Sequence, residues 1–162
     1  MTPTDQPGRR SLPHLPPREL ANQSIVIHVI QVVHRRQPLL ARVEAARTIL
    51  EAWQRADYWL VGRYVLMPDH LHLFCAPARF PSTPLKQWMA FWRADATRKW
   101  PWPREKPIWQ KDFFDRQLRH GENYTAKWNY VLANPVRAGL AASVEDWPWQ
   151  GELHPLMWHD AV

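Results

Sequence analysis

The spacing of apolar side chains changes several times along this chain, and each change marks an element. Ser24 to His34 (SIVIHVIQVVH) is β-branched and apolar on both parities, which predicts a central strand covered on both faces. Leu39 to Ala56 places Leu39, Val43, Ala46, Ile49, Leu50 and Trp53 at helical spacing. Tyr58 to Leu66 and His70 to Ala76 are two more strands, and Met67-Pro68-Asp69 between them reads as the turn of a β-hairpin. A helix with Pro84 in its first turn, capped by Ser82 or Thr83, runs to about Trp100 with Leu85, Trp88, Met89, Trp92 and Ala96 on one side.

The second half is less regular. Three prolines break Trp100–Pro107 (WPWPREKP), and Ile108 to Leu118 (IWQKDFFDRQL) reads as a short strand and turn. Glu122 to Ala133 is the last main helix, with Trp128, Val131 and Leu132 apolar. Asn134-Pro135 interrupts it, Asn134 being a good N-cap for a second short helix that ends before Gly139. From Glu145 the chain reads as an irregular tail packed through its tryptophans. The order strand, helix, strand, strand, helix, strand, helix is that of a ferredoxin-like α+β sandwich, the split βαβ arrangement. An antiparallel sheet with helices on one face is expected, with the C-terminal helix carrying the chemistry argued below. The expected boundaries are a Pro-rich N-terminal arm over 1–22, one domain over 23–150 and a C-terminal tail over 151–162.

Composition narrows the function classes. The 162 residues suffice for one domain with a sizeable core, and the formal charge of +6 favours a polyanionic partner. No apolar run approaches the ~20 residues of a membrane helix, and the single cysteine excludes an internal disulfide, consistent with the cytoplasm. Eleven tryptophans exceed what a core of this size easily buries, so some are candidate platforms for stacked bases, although packing explains most of them.

The candidate chemistry starts at His70 and His72. Strand side chains alternate, so both imidazoles leave one face with Phe74, while Leu71, Leu73 and Cys75 take the other. An isolated His-x-His is more often a half-solvated strand face than a ligand pair. Tyr130 and Asn134 change the balance: four apart, they share a helix face if the helix continues to Asn134. Each alone is explained by packing or capping. Together with two imidazoles, the Asn134 amide oxygen makes a mixed donor set with open positions, suited to Mg or Mn. Such a cation polarises a phosphodiester oxygen, and a tyrosine in line attacks phosphorus to give a reversible covalent ester, which suits strand transfer. Cys75 faces away from the histidines, which argues against a zinc site of His70, His72 and Cys75. Tyr124 lies six residues before Tyr130 and falls on another helix face, so a two-tyrosine enzyme is not supported. His28 reads as a hydrogen-bonded structural histidine. Arg35, Arg36, Lys86, Arg93, Lys127 and Arg137 are candidate phosphate contacts, and Arg9, Arg10 and Arg18 of the arm further ones. A binding module that grips structured nucleic acid without cutting it would use the same basic and aromatic surface.

Taken in order, MPDHLHLF, WQKDFFDRQLR and YVLANPVRAGL followed by EDWPW resemble the HUH single-tyrosine transposases, and among them the REP-associated tyrosine transposases, over about Ile25 to Trp149. One departure is the first strand, where Ile30-Gln31 stand in place of a common Thr. The resemblance implies a divalent metal and cleavage of single-stranded DNA near a hairpin of a repetitive extragenic palindrome (REP). It implies a 5′-phosphotyrosine and a free 3′-hydroxyl, with Tyr130 as nucleophile and His70, His72 and Asn134 as metal ligands. It further implies a bacterial, nucleoid-associated cytoplasmic protein working as a monomer or homodimer.

Overall fold

The computed structural model describes residues 25–158, so the arm with Arg9, Arg10 and Arg18, and Ser24 at the head of the first strand, lie outside the described residues. Five strands form one antiparallel sheet: β1 (Ile27–Val32), β2 (Trp59–Leu66), β3 (His70–Pro77), β4 (Phe114–Gln117) and β5 (Gln150–Glu152). Their order is β4-β1-β3-β2-β5. The first four follow the split βαβ arrangement, with β1 and β3 central. The β2–β3 hairpin closes on the expected Met67-Pro68-Asp69 turn, where the Met67 amide donates to the His70 carbonyl at 2.8 Å.

Strand parity divides the interior into two layers. Ile27, Val29, Val61, Leu71, Leu73 and Cys75 point to one side, against helices α1 (Val43–Arg55) and α2 (Leu85–Arg98). Val26, Val65 and Phe74 point to the other, against α3 (Tyr124–Leu132) and Trp147. The crossover helices therefore share one face, and the helix bearing Tyr130 covers the opposite one.

Local sequence explains most boundaries, and where it fails the cause is tertiary. Leu85, Trp88, Met89, Trp92 and Ala96 are all buried, as the α2 spacing predicts. The first helix starts later than its apolar pattern suggests. Leu39 and Leu40 are buried ahead of it, and Val43 at its first position is 62% exposed. Arg42 holds the chain extended there: its guanidinium donates twice to Glu105, at 2.7 and 3.1 Å, and lies over the Trp102 ring. Neither Ser82 nor Thr83 is the N-cap of α2, since Pro84 occupies that position, with no side-chain cap hydrogen bond. α3 is capped by Asn123, whose side chain accepts from the Ala126 amide at 2.8 Å. A short α4 (Asn134–Arg137) follows with Ala133 as its cap, so Asn134 is not the N-cap its sequence position suggests. Gly139 ends that turn at φ +74, a left-handed conformation that glycine adopts without steric cost, while the Leu140 amide reaches back to the Pro135 carbonyl. The stretch from Glu145, expected to be irregular, supplies β5 as an edge strand beside β2. Beyond it the Leu156 side chain sits where a Cβ on Gly62 would stand, 2.6 Å away.

Candidate active site

His70 and His72 leave the sheet on the α3 side with ring centroids 5.1 Å apart. Each has its Nδ1 engaged. His70 Nδ1 lies 2.7 Å from Asp69 Oδ1, and Asp69 also accepts from Arg36 at 3.2 Å. A carboxylate only accepts, so His70 carries a proton on Nδ1 and leaves Nε2 as its uncommitted ring nitrogen for a ligand. The hydrogen bond from His70, followed by the Arg36 pairing, holds the Asp69 carboxyl below its ordinary range. His72 Nδ1 lies 3.0 Å from His28 Nε2. His28 stands on β1 opposite Phe74 and stacks between Phe74 and His72, at 4.7 and 5.2 Å. Burial, then the charges of Lys127 and Arg116, push the His28 pKa down to about 4. Burial pushes His72 well down too, helped by His28, His70 and Arg137. Both rings are therefore neutral at physiological pH, the state in which imidazole ligates a cation.

From His72 the contacts continue to the helix pair. Its Nε2 lies 3.0 Å from Asn134 Nδ2, and Asn134 Oδ1 accepts from Arg137. Arg137 also donates to the Tyr130 carbonyl at 2.8 Å and places its guanidinium over the Tyr130 ring, 4.3 Å from the centroid. Asn134 is buried, whereas Tyr130 is 45% exposed. Tyr130, Arg137, Asn134 and His72 thus form one bonded series from an open helix face to the sheet. Pro135 does not prevent this, because α4 begins directly after α3 and brings Asn134 over β3.

The basic candidates divide between the two faces. Arg35 and Arg36, exposed at the end of β1 with left-handed φ of 55 and 52, stand at the corner where Arg36 reaches Asp69. Lys127 lies on α3, paired with Glu122 at 3.0 Å. Lys86 and Arg93 lie on α2, across the sheet from the imidazoles. Arg93 is engaged there by Gln31 Oε1 and the carbonyls of Met89, Gln110 and Lys111, so its guanidinium fastens α2 to the segment before β4. Among the described residues the exposed aromatic side chains are Phe80, Phe91, Phe114 and Tyr130, and the tryptophans are buried or half-buried.

Two site residues escape the sequence reading. Asp69 counts there only as a turn residue, although its place directly before His70 is the available signal. His28 is recognised as hydrogen-bonded, but its partner depends on the β1–β3 register, which one strand alone does not reveal. Among the described residues no three His, Cys, Asp or Glu side chains cluster to hold a cation. The donor set is two imidazole nitrogens with the neutral Asn134 amide.

No family model matches the chain. By fold it is an α+β protein with a five-stranded antiparallel sheet, and its structure superposes, with a TM-score of 0.65 and 20% identity, on a REP-associated tyrosine transposase solved bound to a REP hairpin, over 78% of this chain and 75% of that one. By sequence it resembles the REP-associated tyrosine transposases in particular. A Haemophilus influenzae protein named "Putative REP-associated tyrosine transposase" is 26% identical over 112 residues, 57% of this chain. The Escherichia coli REP-associated tyrosine transposase is 23% identical over 131 residues, 76% of this chain and 77% of its own length. The match spans 62% of the Haemophilus protein, less than two thirds of it. Among the described residues, no helix is long and apolar enough to cross a membrane.

Proposed function

We propose that this chain is a DNA nicking and rejoining enzyme, a tyrosine transposase of the HUH endonuclease type. In this reading it acts on single-stranded DNA beside a hairpin-forming repetitive extragenic palindrome. The observation that carries the proposal is the bonded series from the exposed Tyr130 through Arg137 and Asn134 to His72. Through the Tyr130 carbonyl and ring it ties a half-exposed tyrosine to a guanidinium and, by Asn134, to the His72 imidazole.

In the proposed reaction the Tyr130 oxygen attacks phosphorus. A phenolic O–P bond forms, the P–O3′ bond breaks, the phenol proton is lost and the departing 3′ oxygen gains one. The products are a 5′-phosphotyrosine and a free 3′-hydroxyl, and attack by that or another 3′-hydroxyl reverses the step. Arg137 is positioned to bind the phosphate whose charge grows in the transition state, and its bond to the Tyr130 carbonyl keeps it beside that residue. Arg35, Arg36 and Lys127 would hold the backbone of the strand. The donor set fits a divalent cation, Mg or Mn, held by Nε2 of His70 and His72; such an ion supplies Lewis acidity toward the scissile phosphate. Asn134 Oδ1 would join them by exchanging Arg137 for the ion. In this reading residues 23–150 are the catalytic unit, working as a monomer or homodimer in the nucleoid-associated cytoplasm of a bacterium, with 1–22 and 151–162 as flanking arm and tail.

Incubation with a palindromic hairpin oligonucleotide carrying a single-stranded flank, in Mg or Mn, followed by a denaturing gel, tests this. A covalent protein–DNA adduct that vanishes in Tyr130→Phe, with hairpin binding retained, is the expected result. Binding without an adduct on any such substrate, unaffected by chelator, contradicts it and leaves a non-catalytic nucleic-acid-binding module.

A further inference from the structure

We propose that His28 is a positioning residue that fixes the tautomer and orientation of His72, so that His72 presents its Nε2 lone pair to a divalent cation. This rests on the reading above, in which His72 takes up such an ion. The protons can be placed from one end of the series. A guanidinium only donates, so Asn134 must turn Oδ1 toward Arg137. Asn134 Nδ2 is then the atom that faces His72 Nε2 at 3.0 Å, and an amide nitrogen only donates, so that ring nitrogen accepts. Neutral His72 therefore carries its proton on Nδ1 and donates to His28 Nε2 at 3.0 Å. His28 in turn is locked by its stack between Phe74 and His72 and by its place opposite Phe74 on β1. The usual partner for the second nitrogen of a metal-binding imidazole is a carboxylate or a carbonyl. His70 has such a partner in Asp69. His72, buried and flanked by strand backbone already committed to the ladder, has a second imidazole instead.

The test uses the whole chain and Mn(II) as the probe. Free Mn(II), read by its paramagnetic resonance signal, gives the affinity of wild type, His28→Phe and His28→Gln. Long-range proton–nitrogen spectra of the imidazoles give the His72 tautomer directly. Phe keeps the stack and removes the acceptor; Gln keeps an acceptor oxygen. The expected results are a His72 ring protonated on Nδ1 in the metal-free wild type and Mn(II) affinity about 10–100-fold weaker in His28→Phe, with His28→Gln recovering most of it. A His72 ring protonated on Nε2 in wild type, or equal affinity in His28→Phe at an unchanged melting temperature, overturns the proposal. Absence of Mn(II) binding by wild type overturns the cation reading and this role together; binding by wild type and variant alike overturns this role alone. Should His28→Phe not fold, the wild-type tautomer decides.

Discussion

Arg137 makes three contacts at once: with the Asn134 amide oxygen, with the Tyr130 carbonyl and with the Tyr130 ring. Removing it frees the amide that orients His72 and strips the guanidinium from the candidate nucleophile. In Arg137→Ala the rate of adduct formation is expected to fall about 100-fold, the order seen when one charge-stabilising donor is lost from a transition state. Arg137→Lys should recover little, because a point charge cannot hold the amide, the carbonyl and the ring together. Single-turnover assays on the hairpin substrate check both; a rate within twofold of wild type in Arg137→Ala contradicts the role. At this scale the sequence was legible wherever side-chain parity decides. Parity alone places His70, His72 and Phe74 on one face and Cys75 on the other, and the structure agrees. It was not legible where a partner comes from another strand, as with His28, or where an amide has two uses. Asn134 reads as a cap from its place before proline, yet its side chain is spent on His72 and Arg137.

Between elements, the buried Asp95 on α2 joins the two crossover helices. Its carboxylate accepts from Arg55 of α1 at 2.7 Å and from Arg98 at 2.9 Å. Burial pushes its pKa up, but the Arg55 hydrogen bond and the charges of Arg55, Lys99 and Arg98 outweigh that and set it below its ordinary 3.8. A carboxyl whose pKa is depressed on folding stabilises the fold above its unfolded value, and that stabilisation is lost as the pH falls below about 3.8. Asp95→Asn should therefore cost about 2 kcal/mol at neutral pH, with the half-exposed Arg55 keeping the figure below that of a fully buried pair. Thermal melts of wild type and variant should differ by several degrees at pH 7, and the gap should narrow progressively as the pH falls below about 3.8. A gap that persists undiminished in acid contradicts the ion-pair account. Periodicity recovers α2 along its whole length because nothing competes with its apolar stripe. It misplaces the start of α1 because Arg42 is held extended by Glu105 and Trp102, partners some sixty residues away. β5 is missed because three residues, one of them glycine, carry no strand pattern of their own.

Over the whole molecule, the sheet separates two tasks. One face is an interior of indoles and aliphatic chains under α1 and α2, which accounts for much of the unusual tryptophan content. The other carries the imidazoles, the helix pair and the cations Lys127 and Arg137. In the proposed reading a strand laid on it meets the His70–His72 pair inside a positive surround, and the net charge of +6 draws it there. The order of elements predicts the antiparallel sheet from sequence alone; that α3 takes the face opposite α1 and α2 does not follow from it, because both helix types carry an apolar stripe. The central claim is that Tyr130 becomes bonded to the 5′ end of a cut strand. Tandem mass spectrometry of the protease-digested adduct, formed with a hairpin oligonucleotide in Mn(II), tests it most directly. The account predicts one nucleotide-bearing peptide, modified at Tyr130 through a 5′ phosphate, and a complementary fragment ending in a free 3′-hydroxyl. Attachment at Tyr58, Tyr64 or Tyr124, or a cut strand with no peptide attached, would contradict it.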